Sequence, residues 1–250
     1  MQKITAIIPT KNEEHNIVGA IQSVAFADEI IIVDSFSSDK TINLAKPLAT
    51  KIIQKSYKNS ASQKNWAIPQ AKYDWILLID ADERITPDLA KEIQQILRYN
   101  IPESGFWIYR QNHFMGKKVH FSGWQYDKVI RLFNKNECRY ESKNVHAEIT
   151  TKGKIGFLQN KIHHNTFSNI KDYLLKIERY AQWQSKDYDP ITGILTPYHF
   201  IIKPIMRFTK HYFIQLGILD GLTGLTISII QSYAVFLRYI KLWEIRKSKK

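Results

Sequence analysis

Cysteine is nearly absent from this chain, which has one, Cys138, among 250 residues. A single cysteine excludes an internal disulfide and is typical of proteins in a reducing compartment. The sequence also lacks a secretory signal, because the apolar stretch in MQKITAIIPTKNEE is too short for the hydrophobic region and cleavage site of one. We therefore expect the body of the protein to lie in the cytoplasm.

Acidic residues are scarce relative to basic ones, and the formal net charge is +13. Residues 200–250 alone hold nine lysines and arginines against two acids, Asp220 and Glu244. Zinc-finger spacing, an aromatic RNA-binding signature and a helix-turn-helix pattern are all missing, which argues against nucleic acid as a partner. The net positive charge instead favours an anionic membrane surface as the partner.

The first hundred residues contain a regular alternation of apolar strands and amphipathic helices. Strands are predicted at 4–9, 29–34, 51–55 and 74–80, and helices at 12–27, 37–48, 60–71 and 87–100. Asn12 is expected to be the N-cap of the first helix. This order predicts an α/β fold with a mostly parallel sheet flanked by helices, whose first strand ends at Pro9. Ligands of such sheets bind beyond the carboxyl ends of the strands, where Asp34 and Asp80 are expected.

The second half of the chain follows a different pattern. Irregular, antiparallel strands are expected after Tyr99, followed by an amphipathic helix at 168–188 that is capped by Ser168. The tail from residue 203 is both apolar and basic. Between His211 and Leu237 the only residue charged at neutral pH is Asp220, so this run is long enough to cross a bilayer.

Two features of the tail argue against a spanning helix. Gly217, Gly221 and Gly224 interrupt the apolar run, and basic residues flank both of its ends, whereas a span prefers positive charge on one side. A pair of amphipathic helices lying in the membrane interface, with Trp243 at headgroup level, fits better. A soluble helical pack or oligomer interface is one alternative, and a true span or re-entrant hairpin is the other.

Three carboxylates follow the fourth predicted strand in WILLIDADERITPD, residues 75–88. Asp80 and Asp82 repel each other unless a cation neutralises them. Mg²⁺ or Mn²⁺ does so, and commonly bridges carboxylates to substrate phosphates. The alternative is a solvated turn that caps the helix beginning near Pro87.

Two further residues at strand or helix ends are suited to a nucleotide. Asp34 ends the second strand, where its carboxylate can accept hydrogen bonds from a uracil ring or a ribose. The alternative is that this segment, with Ser37, Ser38 and Asp39, only caps a helix. Lys64 stands near the start of a predicted helix, where a cation can meet a diphosphate.

Four stretches, AIIPTKNEEHNI, IIIVDSFSSDKT, QKNWA and ILLIDADE, occur in the order and at the spacing of family 2 glycosyltransferases of the GT-A fold, which the chain resembles. Its second half, with SGWQYDKVIRLF, NVHAEI and the C-terminal apolar stretch, resembles the bacterial branch that includes lipopolysaccharide core β-1,4-glucosyltransferases. The resemblance implies a nucleotide-sugar-binding half at 1–100 and an acceptor and catalytic half at 101–190. It also implies a membrane-associating amphipathic tail at 191–250.

The resemblance implies roles for single residues as well. The position of Lys64 lies near the pyrophosphate in such enzymes, Asp80 contacts the ribose or the metal, and Asp82 ligates the metal directly. The positions that line the nucleotide pocket are Pro9, Glu13 and Asp34.

The catalytic base is where this chain departs from the branch. There the base directly follows a Val-His pair, but here Ala147 stands in that slot and Glu148 comes one place later. We expect Glu148 to be the base, with Asp127 as the alternative.

Five other residues are weaker candidates for contacts with the acceptor or with phosphate. His146, His163 and His164 are placed to ligate a metal or contact a phosphate, although structural hydrogen bonding is the favoured explanation. Trp124 is suited either to stack on a sugar ring or to pack in the core. Arg131 is suited to meet a phosphate or to pair with a neighbouring acid.

Together these features predict an inverting, metal-dependent hexosyltransferase that is peripheral on the inner face of the cytoplasmic membrane. Its expected donor is UDP-glucose, and its expected acceptor is a lipid-linked glycan such as a lipopolysaccharide inner-core heptose. A same-fold transferase with a polyprenyl-phosphate or protein acceptor is one alternative, and a non-enzymatic, basic membrane-binding protein is another. A homo-oligomer is compatible with all three.

Overall fold

The computed structural model of the chain describes residues 2–99, 101–141, 148–167 and 169–249. The chain forms two compact units. The first, here called the sheet unit, comprises residues 1–111 and 127–164, and the second, the helical unit, comprises 112–126 and 165–250. The division into functional segments at residues 100 and 190 stays a prediction.

The sheet unit begins with the predicted alternation of strands and helices. Its strands are β1 (Ile4–Thr10), β2 (Glu29–Asp34), β3 (Lys51–Gln54) and β4 (Trp75–Leu78). The helices between and after them are α1 (Ile17–Ser23), α2 (Thr41–Ala45), α3 (Ser60–Ala67) and α4 (Pro87–Ile96). The four strands are parallel in the order β3-β2-β1-β4, and their apolar runs are buried except in β3. Continuous apolar strands covered on both faces explain this core.

The remaining strands make the sheet mixed, in line with the antiparallel strands expected after Tyr99. They are β5 (Glu83–Ile85), β6 (Glu103–Phe114), β8 (Lys128–Asn134), β9 (Arg139–Tyr140), β10 (Ile149–Thr150), β11 (Lys154–Phe157) and β12 (Ile162–Phe167), together with the short β7 (Lys117–Lys118) of the helical unit. Strand β8 is antiparallel to both β4 and β6, and β5 is antiparallel to the start of β12. These pairings bring β5, β6 and β8 to the end of β4.

Two details near the start of the chain differ from the predictions. Pro9 does not end β1, because it pairs with Val33 of β2 and the strand runs on to Thr10. The proline is tolerated because β1 pairs with β4 only as far as Ile7. Asn12 is not a helix cap, since α1 begins five residues later and Asn12 has a positive φ of 55°.

The helical unit contains α5 (Ile170–Tyr188), α6 (Lys203–Thr209) and α7 (Gly221–Ser248). The N-cap of α5 is Asn169, whose side chain accepts a hydrogen bond from the Asp172 N–H. The predicted cap, Ser168, lies outside the described residues. Single π-helical turns, Tyr198–Ile202 and Lys210–Ile214, flank α6, and a 3₁₀ turn, Gly217–Asp220, leads into α7. The segment 217–248 is long and apolar enough to cross a membrane by length and composition, with 28% of its most apolar window buried.

Candidate active site

The second strand ends in a carboxylate that the fold holds rigidly. Asp34 is fully buried and accepts hydrogen bonds from the Ser37 N–H, the Ser37 hydroxyl at 2.6 Å and the Gln54 side-chain amide at 3.0 Å. The following turn is closed by Asn12, whose side-chain oxygen accepts from the Ser38 N–H at 2.8 Å. These hydrogen bonds hold polar groups at the carboxyl ends of β1 and β2, as the strand pattern predicted.

Glu13 lies at the same end of the sheet, in the turn between β1 and α1. Its N–H donates to the Thr41 hydroxyl at 2.7 Å, and its carboxylate accepts from the Asn16 side chain at 2.8 Å. Burial raises the pKa of Glu13, the Asn16 hydrogen bond opposes that rise, and the nearby charge of Asp82 adds to it. Glu13 and Asp82 are therefore electrostatic neighbours, although they are far apart in the sequence.

Asp80, at the end of β4, is surrounded by cations. Lys64 of α3 lies with its Nζ 2.9 Å from one carboxylate oxygen, while Arg131 of β8 binds the other and Arg110 of β6 lies 3.9 Å from it. Burial alone would raise the pKa of Asp80, but Arg131, Lys64 and Arg110 hold it well below its usual range. Lys64 and Asp80, each predicted to contact the donor, thus form a direct ion pair.

Glu83 is a buried member of this cluster that the sequence did not indicate. Its carboxylate accepts from the Asp80 N–H at 3.0 Å, from Arg110 Nε at 2.7 Å and from Arg131 Nη2 at 2.8 Å. Burial would raise the pKa of Glu83, but the two arginines overcome it and lower the pKa to about 2. Glu83 therefore stays charged and fixes both guanidinium groups beside Asp80.

Arg131 was expected to meet either a phosphate or a neighbouring acid, and it pairs with two acids. Its side chain is 3% exposed, and its Nε is buried with no hydrogen-bond partner in the described part of the chain. Arg110 was not a predicted site residue, and only the strand pairing of β6 with β8 shows that it joins the cluster.

Asp82 faces a histidine, and its charge also acts on the nearby Arg84. Its carboxylate lies 3.4 Å from Nε2 of His164, which sits opposite Glu83 in the β5–β12 pairing. Within residues 2–99, 101–141, 148–167 and 169–249, no cluster of three or more histidine, cysteine or acidic side chains is arranged to hold a metal. Asp82 and His164 are nevertheless oxygen and nitrogen donors at a partly open position, which suits an ion whose other ligands are substrate phosphates and water.

The two candidate bases have different surroundings. Asp127 belongs to the acid and arginine cluster, because its carboxylate lies 3.3 Å from Arg110 Nη1. Glu148 is exposed just before β10, and its carbonyl accepts a hydrogen bond from the Glu141 N–H. His146 and Ala147 lie outside the described residues.

Trp124 belongs to the helical unit rather than to the acid cluster's unit. It packs edge-on against Phe114 and Tyr173, with ring centroids 6.4 and 6.5 Å apart, beside Phe167. These contacts favour the packing role over sugar stacking. His163 pairs with Arg84 across β12 and β5.

Comparison with known proteins identifies related sequences over the whole chain. The family described as glycosyl transferase family 2 matches residues 5–153. An uncharacterized glycosyltransferase of Rickettsia felis is 33% identical over 266 aligned residues, which cover 100% of this chain and 93% of that protein. The lipopolysaccharide core biosynthesis glycosyltransferase LpsC of Rhizobium meliloti is 23% identical, covering 94% and 93% respectively.

A solved structure shows the same fold at low sequence identity. The mannosyltransferase PcManGT of Pyrobaculum calidifontis, determined in complex with GDP-Man and Mn²⁺, is 13% identical and has a TM-score of 0.58. The match covers 97% of this chain and 87% of that one. The likeness extends beyond the parallel strands to nearly the whole chain.

Proposed function

Because the chain belongs to glycosyl transferase family 2 and has its GT-A-type α/β fold, we propose that it transfers glucose from UDP-glucose to a lipid-linked glycan. The observation that carries this proposal is the polar cluster beyond the carboxyl ends of β1, β2 and β4. There Asp34 ends β2, Asp80 and Asp82 follow β4, and Lys64 of α3 pairs with Asp80. Lys64 and a metal ion at Asp82 would together receive the diphosphate. Membership of this family supports an enzyme over the alternative of a non-enzymatic membrane-binding protein.

The nucleotide is proposed to lie across the ends of β1 and β2. Pro9 and Glu13 would line its pocket, and the rigid carboxylate of Asp34 would accept hydrogen bonds from the uracil or the ribose. Asp80 would contact the ribose, and Lys64 would turn from Asp80 toward the pyrophosphate. The Nζ of Lys64 lies 2.9 Å from Asp80, so the diphosphate would meet a cation that is already positioned at this end of the sheet.

A divalent ion, Mg²⁺ or Mn²⁺, would be held by Asp82 with the help of His164. The related mannosyltransferase of known structure contains Mn²⁺, which supports this choice. When bound, the ion would neutralise negative charge on the departing diphosphate. Arg110 and Arg131 would hold Asp80 and Glu83 ionised, so that the field around the phosphates is already organised.

The transfer is proposed to be a single displacement. An acceptor hydroxyl attacks the anomeric carbon and gives its proton to Glu148, while the bond from that carbon to the diphosphate oxygen breaks. The anomeric centre inverts, so that an α-linked donor gives a β-linked product. Glu148 is favoured as base because it is exposed to an incoming acceptor, whereas Asp127 is held by Arg110.

The acceptor is proposed to be a lipopolysaccharide-type glycan at the inner face of the cytoplasmic membrane. The similarity to LpsC over nearly the full chain supports this acceptor, and the apolar segment 217–248 supports the location. A polyprenyl-phosphate or protein acceptor is the second candidate for the same fold. Product analysis of glycans from cells lacking the gene would separate these acceptors.

The proposal is tested by a donor screen. Purified protein is incubated with UDP- and GDP-sugars, with and without Mn²⁺ or Mg²⁺, and release of the nucleoside diphosphate is measured. We expect metal-dependent release from UDP-glucose, lowered by Asp82→Asn on the order of 10²-fold or more. The matched control is Asp88→Asn, an exposed acid in the first turn of α4, which should act like the unmodified protein. Equal rates for both variants would contradict the metal role of Asp82.

The two candidate bases are separated by a second pair of variants. Glu148→Gln should lower transfer to the acceptor far more than it lowers binding of the donor. Asp127→Asn should leave donor binding and the pH dependence of transfer largely intact. The opposite result would assign the base to Asp127.

A further inference from the structure

The turn between α6 and α7 exposes large apolar side chains. Ile214, Leu219 and Leu222 are 73%, 63% and 76% exposed, values typical of residues that contact nothing on their outer side. With their exposed neighbours they form what we call the apolar edge, which consists of Phe213, Ile214, Leu216, Ile218, Leu219 and Leu222. Contiguous exposed apolar surface of this kind marks an interaction site in soluble proteins.

The backbone of this edge is tightly built. Leu216 has a positive φ of 58°, and a π-helical turn precedes it. Gly217 packs against Gly224, where an added Cβ would lie only 1.8 Å from the Gly217 carbonyl oxygen. The glycines that were expected to interrupt a span therefore let the chain reverse at the edge, with Gly224 inside α7.

Asp220 explains how an acid is accommodated among these apolar residues. Its two carboxylate oxygens accept hydrogen bonds from the His120 N–H at 3.0 Å and the Phe121 N–H at 2.8 Å. The Ser122 N–H donates to the Gln215 carbonyl at 3.0 Å as well. The charge is thus turned toward the loop at 120–122 and is stabilised there, which leaves the edge itself without an exposed carboxylate.

Exposed lysines are found beside the edge. Lys210 lies three residues before Phe213, and Lys117 and Lys118 form β7, two residues before the loop that Asp220 holds. Other cations of the tail have partners within the helical unit. Those with internal partners are Lys203 with the Tyr239 hydroxyl, Arg238 with Gln184, Lys241 with Glu178 and Arg246 with Asp189.

We propose that the apolar edge inserts into the boundary between headgroups and acyl chains of an anionic bilayer, with Lys117, Lys118 and Lys210 at the level of the lipid phosphates. An exposed apolar turn accompanied by exposed lysines matches this partner in both hydrophobicity and charge. The inference deepens the proposed membrane location and rests on it. It does not depend on which sugar is transferred.

Depth of insertion is measured with a site-specific probe. The only native cysteine, Cys138, is buried, so a new exposed cysteine can be labelled selectively with an environment-sensitive nitrobenzoxadiazole dye. We expect Leu222→Cys to give a blue shift and quenching by spin-labelled lipid when phosphatidylglycerol vesicles are added. Tyr99→Cys, an exposed position of the sheet unit, should give neither. Equal spectra with and without vesicles at Leu222 would overturn the proposal.

Binding strength is measured by co-sedimentation of the full chain with vesicles. Leu219→Gln and Leu222→Gln should each weaken binding about tenfold, because each removes a large apolar group from the lipid. The matched control is Ile194→Gln, which is highly exposed outside the edge and should change binding by less than about twofold. Binding should also weaken with salt and with uncharged phosphatidylcholine vesicles.

Two other outcomes are informative. If the Leu219 and Leu222 variants disrupt a dimer in sedimentation equilibrium while vesicle binding is unchanged, the edge is an interface between two copies and the proposal fails. Hydrolysis of the soluble donor should be unaffected by either variant. If the unmodified protein does not hydrolyse the donor, the proposed function is contradicted. The vesicle measurements still test the membrane proposal in that case.

Discussion

The sheet unit and the helical unit depart from the usual distribution of residues in opposite ways. In the sheet unit the unusual residues are buried charges, with Glu83 fully buried and Arg131 nearly so. In the helical unit they are exposed apolar side chains, led by Leu222 and Ile214. Buried polar groups and exposed apolar patches are the informative exceptions in a folded protein. This difference agrees with the proposals above, in which the first unit binds a nucleotide-sugar donor and the second contacts lipid.

The basic side chains of the two units also have different kinds of partner. In the sheet unit Arg110 and Arg131 both pair with the buried carboxylate of Glu83, and these pairs keep Glu83 ionised. In the helical unit Lys203 and Arg246 hydrogen-bond across helices and turns, where their role is to hold secondary structure together. Net charge alone does not reveal this difference.

The largest expected effect comes from breaking the buried charge cluster. Arg131→Met leaves Glu83 and Asp80 without their main partner, and removing one member of a buried ion pair costs about 3–5 kcal/mol. We expect a loss of that size in the free energy of unfolding, measured by urea denaturation, together with loss of donor turnover. Arg98→Met, an exposed arginine just after α4, should change stability by less than about 0.5 kcal/mol. A small effect at Arg131 would mean that the cluster is not structurally important.

The next effect tests the close backbone contact in the helical unit. Gly224→Ala forces a methyl group into the Gly217 carbonyl, and overpacking of this kind typically costs about 1–3 kcal/mol. Gly193→Ala is the matched control, because nothing lies within 4 Å of an added Cβ there. The control should be neutral or slightly stabilising. Similar urea midpoints for the two variants would show that the turn at the apolar edge is not tightly packed.

Much of the parallel half of the fold was predictable from local patterns. Continuous apolar runs such as EIIIVD and WILL indicate buried strands, and their carboxyl ends locate Asp34 and Asp80 without any knowledge of pairing. These features depend on neighbours in the sequence.

The rest of the site depends on distant pairings. In the sequence, Glu83 is one more acid in a turn and Arg110 is one polar residue in an irregular strand. Their roles become visible only in the folded chain, where β5, β6 and β8 meet at the end of β4. The partners of the tail cations were hidden for the same reason, because a count of charges does not say which helix faces them. Asn12 was mistaken for a cap because its left-handed backbone conformation is set by the turn around it.

The smallest expected effect is a difference in how the two units respond to pH. The pKa of Glu83 is lowered from 4.5 to about 2, so its stabilising contribution is present above pH 4.5 and is lost as the pH falls toward 2. Burial raises the pKa of Tyr173 from 10.0 to about 12, so its contribution is present below pH 10 and is lost as the pH rises toward 12.

Urea unfolding across this range checks both signs, with Tyr173→Phe as the comparison at high pH. Between pH 10 and 11 the unmodified protein should lose about 1 kcal/mol more than the variant, since the phenol must ionise on unfolding. Below pH 4.5 the two proteins should weaken in parallel, because Glu83 is unchanged in both. Parallel curves at high pH would contradict the burial of the Tyr173 hydroxyl.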